Sequence, residues 1–125
     1  MKTKISLSLP PSINRAYTFN RWTHQRIYTP EAKKYISEVS SILKRELKKN
    51  KVITPIVEYF YIDMKFWLSR KNADSHNYLK VFNDMLETSG LTSDDRYIMN
   101  RIQQIEIDHK NPRVEISFVY INHKK

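Results

Sequence analysis

Residues 70–95 read RKNADSHNYLKVFNDMLETSGLTSDD, a stretch that gathers acids, an imidazole and basic groups around one apolar repeat. Tyr78, Leu79, Phe82, Met85 and Leu86 recur at three- and four-residue spacing, which predicts an amphipathic helix. Asp74 or Ser75 can cap its N-terminus, and Ser89-Gly90 stops it. His76 and Lys80 fall one turn apart on the polar face, and Asp74 sits where unpaired backbone N–H groups and the helix dipole favour anions, so a phosphate could bind there. Asp94-Asp95 follow a short turn later, close enough in sequence for the chain to return a second carboxylate beside the first. Two carboxylates, an imidazole and a lysine near one helix start point to metal-assisted phosphoryl transfer. Each residue alone has a plainer reading: Asp74 as a cap, Asn77 bonded to the helix start, Lys80 on a solvated face, Asp94-Asp95 in a solvated turn.

Before this stretch, residues 56–68 alternate, with Ile56, Phe60, Ile62, Met64, Phe66 and Leu68 on one face and Val57, Tyr59, Tyr61, Asp63, Lys65 and Trp67 on the other. Because the second face is half apolar, the strand is either central in a monomer or covered by a partner subunit. Further back, Thr29-Pro30-Glu31 reads as a helix start, and Tyr35, Ile36, Val39, Ile42, Leu43 and Leu47 carry helical spacing to about residue 50. The lysines and arginine at its end (Lys44, Arg45, Lys48, Lys49, Lys51) read as a solvated helix terminus that complements the dipole. Residues 10–28 read as a loop rich in basic and aromatic groups, among them Asn14, Arg15, Tyr17, Arg21, Trp22, His24, Arg26 and Tyr28. Such a loop either contacts phosphates and bases or folds its aromatics onto the core. Ile5, Leu7 and Leu9 alternate with Lys4, Ser6 and Ser8 as a first strand that Pro10-Pro11 ends.

After Asp95 two periods compete. Ile98, Ile102 and Ile105 suit a helix opened by a Thr92-x-x-Asp95 capping box, whereas Ile105 and Ile107 alternate. The preferred reading is strand, turn at Asn111-Pro112, then a last strand carrying Val114, Ile116, Phe118 and Tyr120, paired with the segment before it. The whole is a single α+β domain over residues 1–125, in the order β-α-β-α-β-β, with a mixed sheet and two helices.

Length and composition bound the function. One hundred and twenty-five residues allow one modest core. The absence of cysteine excludes disulfides, thiolate metal sites and cysteine nucleophiles. With no apolar run near the ~20 residues of a membrane span and no targeting segment, the expectation is a cytoplasmic protein without a membrane partner. Twenty-two Lys and Arg against 13 Asp and Glu leave a formal charge of +9, a bias toward polyanions.

The order and spacing of Pro10-Pro11-Ser12-x-Asn14, of Asp74, Asn77 and Lys80, and of Asp94-Asp95 resemble the RusA family of Holliday junction resolvases, over nearly the whole chain. The resemblance implies a homodimeric, Mg2+-dependent endonuclease that makes paired, symmetric nicks in four-way DNA junctions during recombination and repair. It assigns metal-site roles to Asp74 and Asp95, with Asp94 beside them, and makes Lys80 the lysine needed for cleavage. A hard divalent ion takes oxygen ligands and helps ionise the water that attacks phosphorus in line, while a lysine offsets charge on the phosphate. Asn14, Arg15, Arg21, Arg70, Lys71 and Asn77 are the expected DNA contacts. One position departs from the family's Asp-x-Asp-Asn: His76 stands where the second acid belongs. His76 is either a ligand that shifts preference toward Mn2+, or a general base, or the mark of a degenerate site in a junction-binding protein that no longer cuts.

Overall fold

In the computed structural model, which describes residues 2–11, 16–69 and 78–119, apolar alternation becomes a four-stranded sheet with two helices on one face. The strands are β1 (Lys2–Ser8), β4 (Phe60–Leu68), β5 (Ile98–Ile107) and β6 (Arg113–Val119), and a separate hairpin comprises β2 (Tyr17–Asn20) and β3 (Gln25–Tyr28). The helices are α1 (Pro30–Lys49) and α2 (Leu79–Thr88). The sheet order is β1-β6-β4-β5; β4 and β5 run parallel and the other neighbours antiparallel, so the expected mixed α+β architecture holds. No described helix is long and apolar enough to cross a membrane.

Alternation decides which face is covered. Ile62, Met64, Phe66 and Leu68 of β4, Ile5 and Leu7 of β1, and Val114, Ile116 and Phe118 of β6 are buried against Tyr35, Val39, Leu43 and Leu47 of α1 and Val81, Phe82, Met85 and Leu86 of α2. Tyr61, Asp63, Lys65 and Trp67 point to the opposite face, which no described helix covers. There Arg101 lies over the Tyr61 ring at 3.9 Å and pairs with Asp63 at 2.7 Å, while Arg113 lies over Trp67 at 4.1 Å.

The start of α1 is as its sequence predicts: the Thr29 hydroxyl oxygen accepts a hydrogen bond from Ala32 N at 3.3 Å, and Pro30 needs no donor. Helix α2 starts at Leu79, with Tyr78 in the cap position and no side-chain capping bond; Asp74 and Ser75, expected as its cap, lie outside the described residues. Gly90, at φ +86°, ends it as expected, its N–H donating to Glu87 O.

Three expectations need correction. Residues 17–28, read as part of a loop, form the β2–β3 hairpin: Tyr17 pairs with Tyr28 and Asn20 with Gln25 across a turn in which His24 takes a positive φ of 56°. The strand expected from Ile56 begins at Phe60; Ile56 instead makes an isolated parallel bridge to Thr92. The last strand does not pair with the segment before it, because β4 lies between β5 and β6. A helix crossover from β4 through α2 places β5 parallel to β4, and β6 completes β4's other edge.

The mixed period after Asp95 has a structural cause. Phe60 faces Ile98 and Met64 faces Ile102, but Lys65 faces Gln104, so Gln103 is an inserted residue. This bulge shifts the positions in register with the buried β4 residues from even to odd numbers, aligning Ile105 and Ile107, both exposed on this edge strand, with Phe66 and Leu68. A strand with one extra residue therefore resembled a helix.

Candidate metal and nucleic-acid site

Helix α2 presents Lys80, Asp84 and Glu87 along its polar side, at offsets of four and seven residues that place them on one stripe. The rotation of the helix is held by its buried apolar stripe and by a reciprocal amide pair. Asn83 donates to Asn100 Oδ1 at 2.9 Å, and Asn100 donates back to Asn83 Oδ1 at 3.0 Å. The opposing acid arrives by a different route. Ile56 N donates to Leu91 O at 2.7 Å and the buried Thr92 hydroxyl donates to Ile56 O at 2.8 Å, fixing the chain just before a single 3₁₀ turn, Asp95–Tyr97.

That turn separates the two adjacent acids. Asp94 caps it, its Oδ1 accepting from Arg96 N at 2.9 Å and its Oδ2 lying 3.6 Å from Arg96 Nε. Asp95 is aimed at α2, where its carboxylate joins those of Asp84 and Glu87, with ligand oxygens all within 4.8 Å of one another. Three hard oxygen donors at this spacing suit Mg2+ or Mn2+. Asp84 has further partners: Lys80 Nζ stands 3.5 Å from its Oδ1, and the Tyr28 hydroxyl donates to its Oδ2. Burial first, then the charges of Asp95 and Glu87, push the Asp84 carboxyl above the ordinary aspartate value. A divalent cation would relieve that repulsion.

Tyr28 connects this cluster to the hairpin. Its ring stacks on Tyr17 at 4.9 Å, the Tyr17 hydroxyl lies 3.4 Å from that of Tyr28, and the Arg26 guanidinium sits 4.6 Å from the Tyr17 ring centre. Burial raises the Tyr17 hydroxyl pKa, opposed by nearby Lys80 and Arg26 and assisted by Asp84. The hairpin turn carries Arg21 and Trp22, both exposed, the indole at 92%.

Of the residues singled out from the sequence, Lys80, Asp94, Asp95 and Arg21 lie in the described part, and Lys80 and Asp95 meet through Asp84. Asp74, His76, Asn77, Arg70, Lys71, Asn14 and Arg15 lie outside it. Asp84 and Glu87 were missed, and Tyr28, singled out only among the aromatics of residues 10–28, was not placed at the acids. Lys80, Asp84 and Glu87 were readable as one polar stripe opposite the apolar one; Tyr28 left no local signal, since 56 residues separate it from Asp84.

A one-faced α+β sheet here brings three carboxylates and a lysine together on a strongly basic chain, a donor set that could hold a divalent cation beside a phosphate. The particular family follows from comparison with known families: the chain belongs to the RusA family, whose model, described as Endodeoxyribonuclease RusA, matches residues 9–118. No curated protein gave a significant match.

Proposed function

We propose that this protein is a divalent-metal-dependent endonuclease that resolves four-way DNA junctions by paired, symmetric nicks. The observation that carries the reading is the Asp84–Glu87–Asp95 cluster beside Lys80, in a +9 chain of an endodeoxyribonuclease family. Asp95 and Glu87, with Asp74 and His76 as the resemblance assigns them, would hold Mg2+ or Mn2+, while Asp84 is engaged by Tyr28 and Lys80. The ion supplies charge neutralisation at the phosphate and eases ionisation of the attacking water. Lys80 offsets charge developing on the phosphate oxygens. Asn14, Arg15, Arg21, Arg70, Lys71 and Asn77 hold the DNA backbone, and the exposed Trp22 beside Arg21 offers a ring on which a base can stack. A homodimer places two such sites on a two-fold substrate, with the open sheet face of Tyr61, Asp63, Lys65 and Trp67 as its contact surface.

The test is a strand-resolved cleavage assay on a mobile four-way junction and on linear duplex of the same sequence, with Mg2+ and separately with Mn2+. Paired symmetric nicks, lost in Asp74→Asn and in Asp95→Asn while junction binding survives, are the expected result. A Mn2+ preference that disappears in His76→Asp identifies His76 as a ligand. Junction binding without cleavage under either metal would replace this reading with that of a DNA-binding protein whose metal site has degenerated.

A further inference from the structure

The Tyr28–Asp84–Lys80 array is not explained by packing. Lys80 and Asp84 alone would be an ordinary helix pair four residues apart, which adds little to stability. Here the carboxylate is fixed from its other side. Tyr28 donates to Oδ2, leaving Oδ1 toward Lys80 Nζ at 3.5 Å. Tyr28 is itself held by Tyr17, by the hairpin register, and by the Thr29 N to Ala16 O bond of 2.8 Å at the hairpin's base. The bonds therefore run from the hairpin to one carboxylate and on to the one lysine that the family resemblance singles out.

We propose that Tyr28 and Asp84 are positioning residues for Lys80: Asp84, oriented by the Tyr28 hydroxyl, holds the ammonium group over the acidic cluster, so that the docked hairpin sets the geometry of cleavage. This rests on the endonuclease reading above and adds two residues to it. Both act through Lys80, and neither is required to touch DNA. A lysine on four rotatable bonds is otherwise poorly directed, and misplacement of about 1 Å in a reacting array can lower a rate by about two orders of magnitude.

Single-turnover cleavage of the four-way junction under saturating Mg2+ tests this in the full chain. Tyr28→Phe should slow cleavage about tenfold with junction Kd and the half-saturating Mg2+ concentration unchanged, the pattern of a displaced catalytic group. Asp84→Asn should slow it at least as much, with Asp84→Glu restoring part of the rate. The double variant Lys80→Ala, Asp84→Asn should be no slower than Lys80→Ala alone. Multiplicative losses in that double variant, or a raised Mg2+ requirement in Asp84→Asn, would overturn the proposal and make Asp84 an independent metal ligand. A second measurement does not depend on nuclease activity: acetylation of Lys80 by acetic anhydride, mapped by mass spectrometry against Lys49 at the exposed end of α1. Tyr28→Phe and Asp84→Asn should each raise the Lys80/Lys49 labelling ratio. An unchanged ratio would overturn the proposal, whereas a raised ratio in a protein that cuts no DNA would reject the endonuclease reading and leave the array standing.

Discussion

Asp84 is held in an environment that disfavours its own charge. Burial and the facing carboxylates of Asp95 and Glu87 raise its pKa, so the native state holds the proton more tightly than the unfolded chain does. The sign follows from linkage: stability from this group is present below the unfolded aspartate value and is lost as pH rises through the folded one. Without divalent metal, Asp84→Asn should therefore have the same Tm as the parent in acid and a higher Tm at neutral pH. Thermal melts across that pH range, in the absence of divalent metal, check it. A variant that gains stability while losing cleavage is the signature of a group kept for chemistry. Asp108 behaves oppositely. Backbone donation from Asn111, with Lys110 N and Arg113 adding to it, lowers its pKa, which makes it a structural clasp for the β5–β6 connection.

At the scale of elements, the site depends on how α2 is turned and where it stops. Asn83 and Asn100 satisfy one another between α2 and β5, so Asn83→Ala leaves a half-buried amide with one of its partners gone and should cost about 1–2 kcal/mol in chemical denaturation. Gly90→Ala should cost about 1 kcal/mol for a different reason: a Cβ there meets nothing within 4 Å, and the penalty is wholly that of φ +86° for an L-residue. Helix α1, the termination of α2 and the alternation in β1, β4 and β6 were readable in the sequence because hydroxyl caps, glycine and apolar period act over a few residues. The hairpin was not. Its turn, Arg21–His24, carries none of the Asn-Gly or Asp-Gly signals, and it is stabilised by Tyr17–Tyr28 stacking and by Asp84, far off in sequence.

For the molecule as a whole, charge and symmetry set the expectations. Junction binding dominated by Lys and Arg contacts to phosphate should fall steeply with salt, log K declining linearly with log salt concentration in a filter-binding or anisotropy titration. A nearly flat dependence would point away from DNA as the partner. If the open sheet face is the contact between two copies, Tyr61→Ala and Trp67→Ala should shift sedimentation toward monomer and convert paired nicks into uncoupled single nicks. The alternating buried and half-exposed residues of β4 marked that face as the place to look.

Local order lay in the sequence. Helix starts and stops, strand alternation, the +9 charge and the short motifs shared with the RusA family depend on residue type and near spacing, which a chain displays before it folds. Tertiary structure decided which strands are neighbours, because the crossover through α2 lays β5 along one edge of β4 and β6 takes the other. It also decided which acid of the Asp94-Asp95 pair faces α2, since a single 3₁₀ turn gives one carboxylate to the backbone and the other to the cluster. The Tyr28–Asp84 bond belongs to the same class: a contact across 56 residues exists only once core burial has set the helix and the hairpin side by side.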